Sequence, residues 1–146
     1  GSSLTLLGDG NANAGIEVYF VPLAEFASIG QAKGFPVYPG NHGYFWTLWT
    51  QQRIYKAYVL LARDKLFGSA LRHFTFEEVT QSLGLSNDSP VFADSVFYAK
   101  GSNGGNAQTL SALDRRLLRF HYRYVQPGFG VAAYTPAYDA HFWTTP

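Results

Sequence analysis

The chain has 146 residues, no cysteine and a formal net charge of +1, with 14% of residues charged. That length fits one domain able to bury a substantial core, and the near-neutral balance leaves no electrostatic footprint for nucleic acid or a membrane surface. Without cysteine there is no disulfide framework, thiolate metal site or thiol nucleophile, and no apolar run approaches the roughly 20 residues that span a bilayer.

The single domain is expected to cover residues 1–146, beginning with a loose Gly- and Asn-rich segment over 1–15. There is no methionine, so Gly1-Ser2-Ser3 reads as an engineered scar or the edge of a processed fragment. Ile16 to Val21 reads as a strand stopped by Pro22, and Leu23 to Ala32 as a short helix. Gly34, Pro36, Pro39, Gly40 and Gly43 then make a turn-rich connection. Tyr44 to Thr50 and Ile54 to Ala62 read as neighbouring strands in an antiparallel hairpin, joined at Gln51-Gln52-Arg53 without an Asn-Gly signal.

Thr75 and Glu78 have the spacing of a capping box, with Phe74 and Val79 at the staple positions, which predicts a helix from Phe76 to about Leu83 stopped by Gly84. Gly101 to Asn106 is a loop that lacks the Lys-Ser/Thr ending of a phosphate cradle. A second capping box, Ser111 with Asp114, starts a helix with an apolar stripe of Leu110, Leu113, Leu117 and Phe120. Arg115, Arg119 and Arg123 fall on another, solvated face. After Pro127-Gly128 the tail, residues 124–146, places Tyr134, Tyr138, Phe142 and Trp143 so that it packs back on the domain.

The segment Glu77-Glu78-Val79-Thr80-Gln81-Ser82-Leu83-Gly84-Leu85-Ser86-Asn87 has the spacing of H-E-x-x-H-x-x-G-x-x-H with every histidine replaced. Ile54 to Ala62 is similar to the strand that precedes the active-site helix of metzincin zinc peptidases. Asp94-Ser95-Val96-Phe97-Tyr98 resembles the S-x-M-Y turn beneath the metal, with Phe97 for the methionine and Tyr98 after it. Leu110 to Tyr122 is similar to the closing helix of matrixin-like members. From about Arg53 to Tyr122 the chain therefore resembles the metzincin superfamily, and it looks like a group of bacterial secreted domains that carry E-E-x-T-Q-x-L-G-L-x-N-D instead. The resemblance implies an α+β, metzincin-like fold, a mixed β-sheet packed against an active-site-type helix and a C-terminal closing helix. It also implies extracellular or periplasmic placement.

In that frame Glu77, Gln81 and Asn87 stand at the ligand positions and Glu78 at the general base. A carboxylate and two amides hold zinc poorly, because neutral amide oxygens are weak donors to a borderline-soft ion. Calcium, helped by Asp88, would find few of the roughly six to eight oxygens it takes. A metal-free site is expected, with zinc and calcium as lesser alternatives, and Gln81, Asn87 and Asp88 as a hydrogen-bonded relic. Glu78 is catalytic only if the domain is active; otherwise capping explains it, and Glu77 complements the helix dipole. His42, His73, His121 and His141 form no H-x-x-x-H pair and read as packing or surface residues, with His73 just before the helix. No G-x-S-x-G elbow is present, and Asn87-Asp88-Ser89 matches a glycosylation sequon.

Three functions fit these residues. The first is an inactive, pseudo-peptidase recognition module for a peptide or protein partner, including one at a cell surface. Its cleft strand would be Tyr44 to Thr50, with Tyr44, Trp46 and Trp49 as the candidate contacts. The second is a divergent metal-dependent peptidase or hydrolase that uses Glu78 as base. The third is glycan binding through exposed Trp46, Trp49 and Trp143, against which core packing of these tryptophans is the plainer expectation.

Overall fold

The computed structural model describes residues 14–101 and 104–145. Most of the expected N-terminal segment, two residues of the Gly101 to Asn106 loop, and Pro146 lie outside the described residues. The fold is α+β. A three-stranded mixed sheet contains β1 (Ile16–Val21), β2 (Gly43–Thr50) and β3 (Arg53–Ala62), in the order β1-β3-β2. β1 runs parallel to β3 with Ile16 opposite Ala57, and β2 runs antiparallel to β3 with Tyr44 opposite Leu60. Val59, Leu60, Leu61 and Ala62 are fully buried. Such an unbroken apolar run is what a strand covered on both faces requires.

The two covers are helical. α1 (Phe26–Lys33) lies on one face, where Phe26 and Phe35 join Tyr44, Tyr58 and Leu60. α2 (Gly68–Gln81) lies on the other, where Leu71, Phe74 and Val79 pack on Phe45, Val59 and Leu61. The hairpin turn between β2 and β3 holds Gln51 and Gln52 at φ 47° and 62°, the left-handed pair of a type I′ turn, reached here without Asn or Gly.

α2 begins eight residues before the expected start, and Thr75 is inside it. Its hydroxyl donates to the Leu71 carbonyl at 2.7 Å, the back-bond of a mid-helix threonine, so the capping box of Thr75 with Glu78 does not form. Phe74 and Val79 are core contacts of the helix and not a staple around its start. The first turns lack a side-chain cap at Phe67, and burial of Leu71 and Phe74 on the sheet supplies what the cap does not.

α3 (Ala112–Tyr124) starts as expected. The Ser111 hydroxyl accepts from the Asp114 amide, and the Asp114 carboxylate accepts from the Ser111 amide. The tail contains α4 (Val131–His141) with Pro136 inside it, then a closing turn at Phe142–Thr144. Phe120 of α3, fully buried, meets the rings of Tyr134, Tyr138 and Phe142 edge-on at 5.6–5.9 Å. These aromatic contacts fix the tail to α3. Core packing holds for Trp46 only among the tryptophans: Trp49 is 70% exposed and Trp143 66%. Trp49 lies beyond the register shift at Leu48/Trp49, near the hairpin end.

Candidate functional site

One face of α2 and the start of β2 enclose a cleft of about 410 Å³. α2 contributes Phe74, Glu77, Glu78 and Gln81; β2 and the turn before it contribute Gly40 to Phe45; Ser86 and Asp88 close the remaining side. Glu77 and Glu78 are only 7% and 6% exposed. Adjacent residues on a helix point about 100° apart, so both reach the same cleft only because it wraps one side of α2.

Gly43 makes the arrangement possible. A Cβ on it would stand 2.5 Å from both Glu78 Oε1 and Phe74 Cδ1, well inside van der Waals contact, so the strand approaches the Glu78 carboxyl through bare backbone. No hydrogen bond contributes to the state of that carboxyl. Burial, reinforced by the charges of Glu77 and Asp88, pushes it up to about 8. Burial and then Asp88 push Glu77 up to about 8 as well. Asp88 is raised by burial against the opposing bond from Gln81, whose amide nitrogen donates to Asp88 Oδ1 at 2.6 Å. Near neutral pH the cleft therefore holds carboxyl groups poised to give up protons. None of the described residues lining it is a lysine or arginine.

His73 is an α2 residue, four before Glu77, and does not precede the helix. It is 2% exposed, with Nδ1 2.7 Å from the Ala107 carbonyl oxygen and Nε2 2.9 Å from that of Gly104. Its Nε2 also lies 3.4 Å from Glu77 Oε2. The imidazole thus ties the 104–107 segment to the back of the acid cluster. The spacing His73-x-x-x-Glu77 was visible in the sequence and is the signal that would have joined them.

The remaining sequence candidates divide. Gly84 has φ +107° and its amide donates to the Gln81 carbonyl at 2.9 Å, turning the chain after α2. The turn returns Asp88 to Gln81, whereas Asn87 is exposed and does not line the cleft. Phe97 is buried and Tyr98 half-buried, away from the cleft lining. Their turn is pinned by Asp114, which accepts from Ser95 Oγ at 2.6 Å and the Val96 amide at 3.1 Å. Tyr44 borders the cleft while its hydroxyl donates to the Pro36 carbonyl at 2.6 Å. Trp46 belongs to the cluster on the α1 face, and Trp49 is remote from the cleft lining. Gly43, His42, Phe45 and Phe74 were not read from the sequence as site residues: Gly43 was a turn residue, His42 a packing or surface residue and Phe74 a staple. Gly43 offers no side-chain chemistry to read, and the two phenylalanines are indistinguishable from core residues until the fold is known.

A metzincin-type zinc needs three donors aimed at one point. Here Asn87 is exposed and outside the cleft lining, and the Gln81 side chain is turned by its amide nitrogen to Asp88, so the three sequence positions are not brought to one point. These residues do not fit the ion, and among the described residues no group of three His, Cys, Asp or Glu side chains is arranged to hold a metal.

No curated protein and no solved structure matches the chain. A family model described as "Protein of unknown function (DUF2927)" matches residues 7–138. With nearly the whole chain matched, strands, α2, cleft and α3 included, the protein belongs to the DUF2927 family.

Proposed function

We propose that the domain is a metzincin-like frame without zinc ligands, acting as a recognition module for an extended peptide that adds as a strand to the outer edge of β2. The observation that carries this reading is the position of that edge. The Ala62 amide donates to the His42 carbonyl at 2.9 Å. With the antiparallel register, Tyr44 and Trp46 therefore share bonds with Leu60 and Tyr58, and Gly43, Phe45 and Thr47 turn their N–H and C=O groups outward. Gly43 and Phe45 also line the cleft. A peptide paired there would run its alternate side chains across the cleft mouth, with backbone bonds giving affinity and the cleft giving selectivity.

The order of parts supports the metzincin-like frame. An antiparallel edge strand precedes the central strand, α2 follows with Glu78 in the cleft, and the Gly84 turn comes next. The Ser95 to Tyr98 turn is then held by the first turn of α3. The test is Thr47→Pro. Its amide points away from β3, so proline removes an outward donor while the β2–β3 ladder is kept. Fluorescence anisotropy with labelled extended peptides should show binding weakened about tenfold or more, one to two hydrogen bonds' worth. Unchanged affinity in a folded Thr47→Pro protein would overturn strand addition.

One observation favours a second reading, a hydrolase. Glu78 combines burial, a value of about 8 and no hydrogen-bonded partner, and a carboxyl near the working pH suits general acid and base catalysis. That reading requires turnover of peptide substrates that Glu78→Gln abolishes while binding persists; binding without turnover in the native chain rejects it.

A further inference from the structure

None of the described residues lining the acid cleft is a lysine or arginine, His73 meets Glu77 only from behind at 3.4 Å, and the shape and lining describe what would supply a cation on the open side. Carboxyl groups of Glu77, Glu78 and Asp88 reach it from two segments of chain, and Phe45 and Phe74 stand among its walls. Glu78 is 94% buried, and its carboxyl, open only to the cleft, takes part in no hydrogen bond with the described residues. A buried carboxyl without a partner costs stability that a ligand can return. We propose that the cleft receives a primary ammonium group, carried by the lysine side chain or the free amino terminus of the peptide on β2. The identity of the carrier rests on the strand-addition reading, whereas the ammonium site itself does not.

A cleft lined by carboxyls from two segments of chain suits an ammonium, whose three N–H donors rotate about a compact charge and need no fixed acceptor plane; a guanidinium presents a rigid planar fork that prefers one bidentate carboxylate. Aromatic walls add attraction for a cation within about 6 Å of a ring. The charged or titratable groups that face Glu78 are Glu77 on its own helix, Asp88 across the cleft, and His42 and Tyr44 on the strand side. His73 is engaged by Gly104 and Ala107 behind Glu77. Ammonium binding favours the ionised acids, so a lysine carrier expels protons from the cleft and binds more tightly as pH rises from about 6 to 8.5, whereas an amino-terminal carrier, whose own ammonium is lost around pH 7.7–8, binds best below that pH.

The experiment is isothermal titration calorimetry at pH 8, in two buffers of different ionisation heat, with four probes. The first is an acetylated, amidated alanine peptide with one central lysine; the second has norleucine for the lysine; the third has norleucine and a free amino terminus. The fourth is n-butylammonium. The expected result is binding of the lysine or free-terminus peptide at least tenfold tighter than the acetylated norleucine peptide. Proton release should accompany binding of the lysine peptide, and both the tighter binding and the release should be lost in Glu78→Gln whose circular dichroism is unchanged. Equal binding of lysine and norleucine peptides would overturn the ammonium site and leave strand addition standing. Glu78-dependent binding of butylammonium with no gain for any peptide would support the site and overturn strand addition. Silence from all four probes would overturn both.

Discussion

Replacing Glu78 by glutamine should make the protein more stable above pH 5, and the structure sets the size of the effect. The Glu78 carboxyl ordinarily titrates near 4.5 and is pushed up to about 8 by burial and the neighbouring charges of Glu77 and Asp88. Between those values the folded chain holds a proton that the unfolded chain has released, so stability falls as pH rises through the window from about 4.5 to 8. The full displacement, roughly 3.5 units at about 1.4 kcal/mol each, sets a ceiling of about 5 kcal/mol at pH 8 and above. Water entering the open cleft and side-chain relaxation reduce it, and about 2–3 kcal/mol is expected. Glutamine has the same shape, fits beside Gly43, and forfeits no hydrogen bond because the Glu78 carboxyl makes none with the described residues. Urea unfolding of both proteins at intervals from pH 4.5 to 8.5 measures the difference. The curves should coincide near pH 4.5 and diverge upward, with the mutant retaining a shallower slope because Glu77 titrates over the same window. Parallel curves, or native stability that rises from pH 5 to 8, would refute the account of the cleft.

Asp114→Ala should cost about 3–5 kcal/mol, because it removes a 1%-exposed carboxylate that accepts from Ser95, Val96 and Ser111 and leaves those donors without an acceptor; a melting-temperature drop of about 6–20 °C in calorimetry checks it. Gly43→Ala should destabilise by about 1–3 kcal/mol, since its methyl would stand 2.5 Å from the Glu78 carboxyl and the Phe74 ring, and its urea midpoint should fall. The triple change Glu77→His, Gln81→His, Asp88→His should create zinc affinity at least tenfold tighter than the same helix changes with Asn87→His, because Asp88 is the residue that the Gly84 turn returns to Gln81. Competition with a chromogenic chelator measures both.

Much of the scaffold is legible in the sequence, for local physical reasons. The aromatic and β-branched run of β3 predicts a strand paired with β2, although its central place is seen only in the fold, and Ser111 with Asp114 predicts the start of α3 because that cap is complete within four residues. The start of α2 is not legible. Thr75 and Glu78 mimic a cap, while the true first turns are held by Leu71 and Phe74 against strands distant in sequence. α4 is hidden by Pro136, which argues against a helix interior until the aromatic contacts with Phe120 are seen to outweigh it. Half of the site was legible: the spacing around Glu77, Glu78, Gln81 and Gly84 places them on the cleft side of one helix and the turn after it. The other half depends on tertiary approach. Gly43 matters through the atom it lacks, and whether Asn87 or Asp88 returns to the cleft is decided by the Gly84 turn and not by residue count.

The most direct measurement of the central claim is amide hydrogen exchange at Gly43, Phe45 and Thr47, residue by residue, with and without the lysine-bearing peptide. Strand addition predicts that the half-buried Phe45 and Thr47 amides gain protection of about tenfold or more on binding, while Tyr44 and Trp46, already bonded to β3, and the buried Gly43 change less. Protection that leaves Phe45 and Thr47 unchanged, with the peptide demonstrably bound, would contradict it.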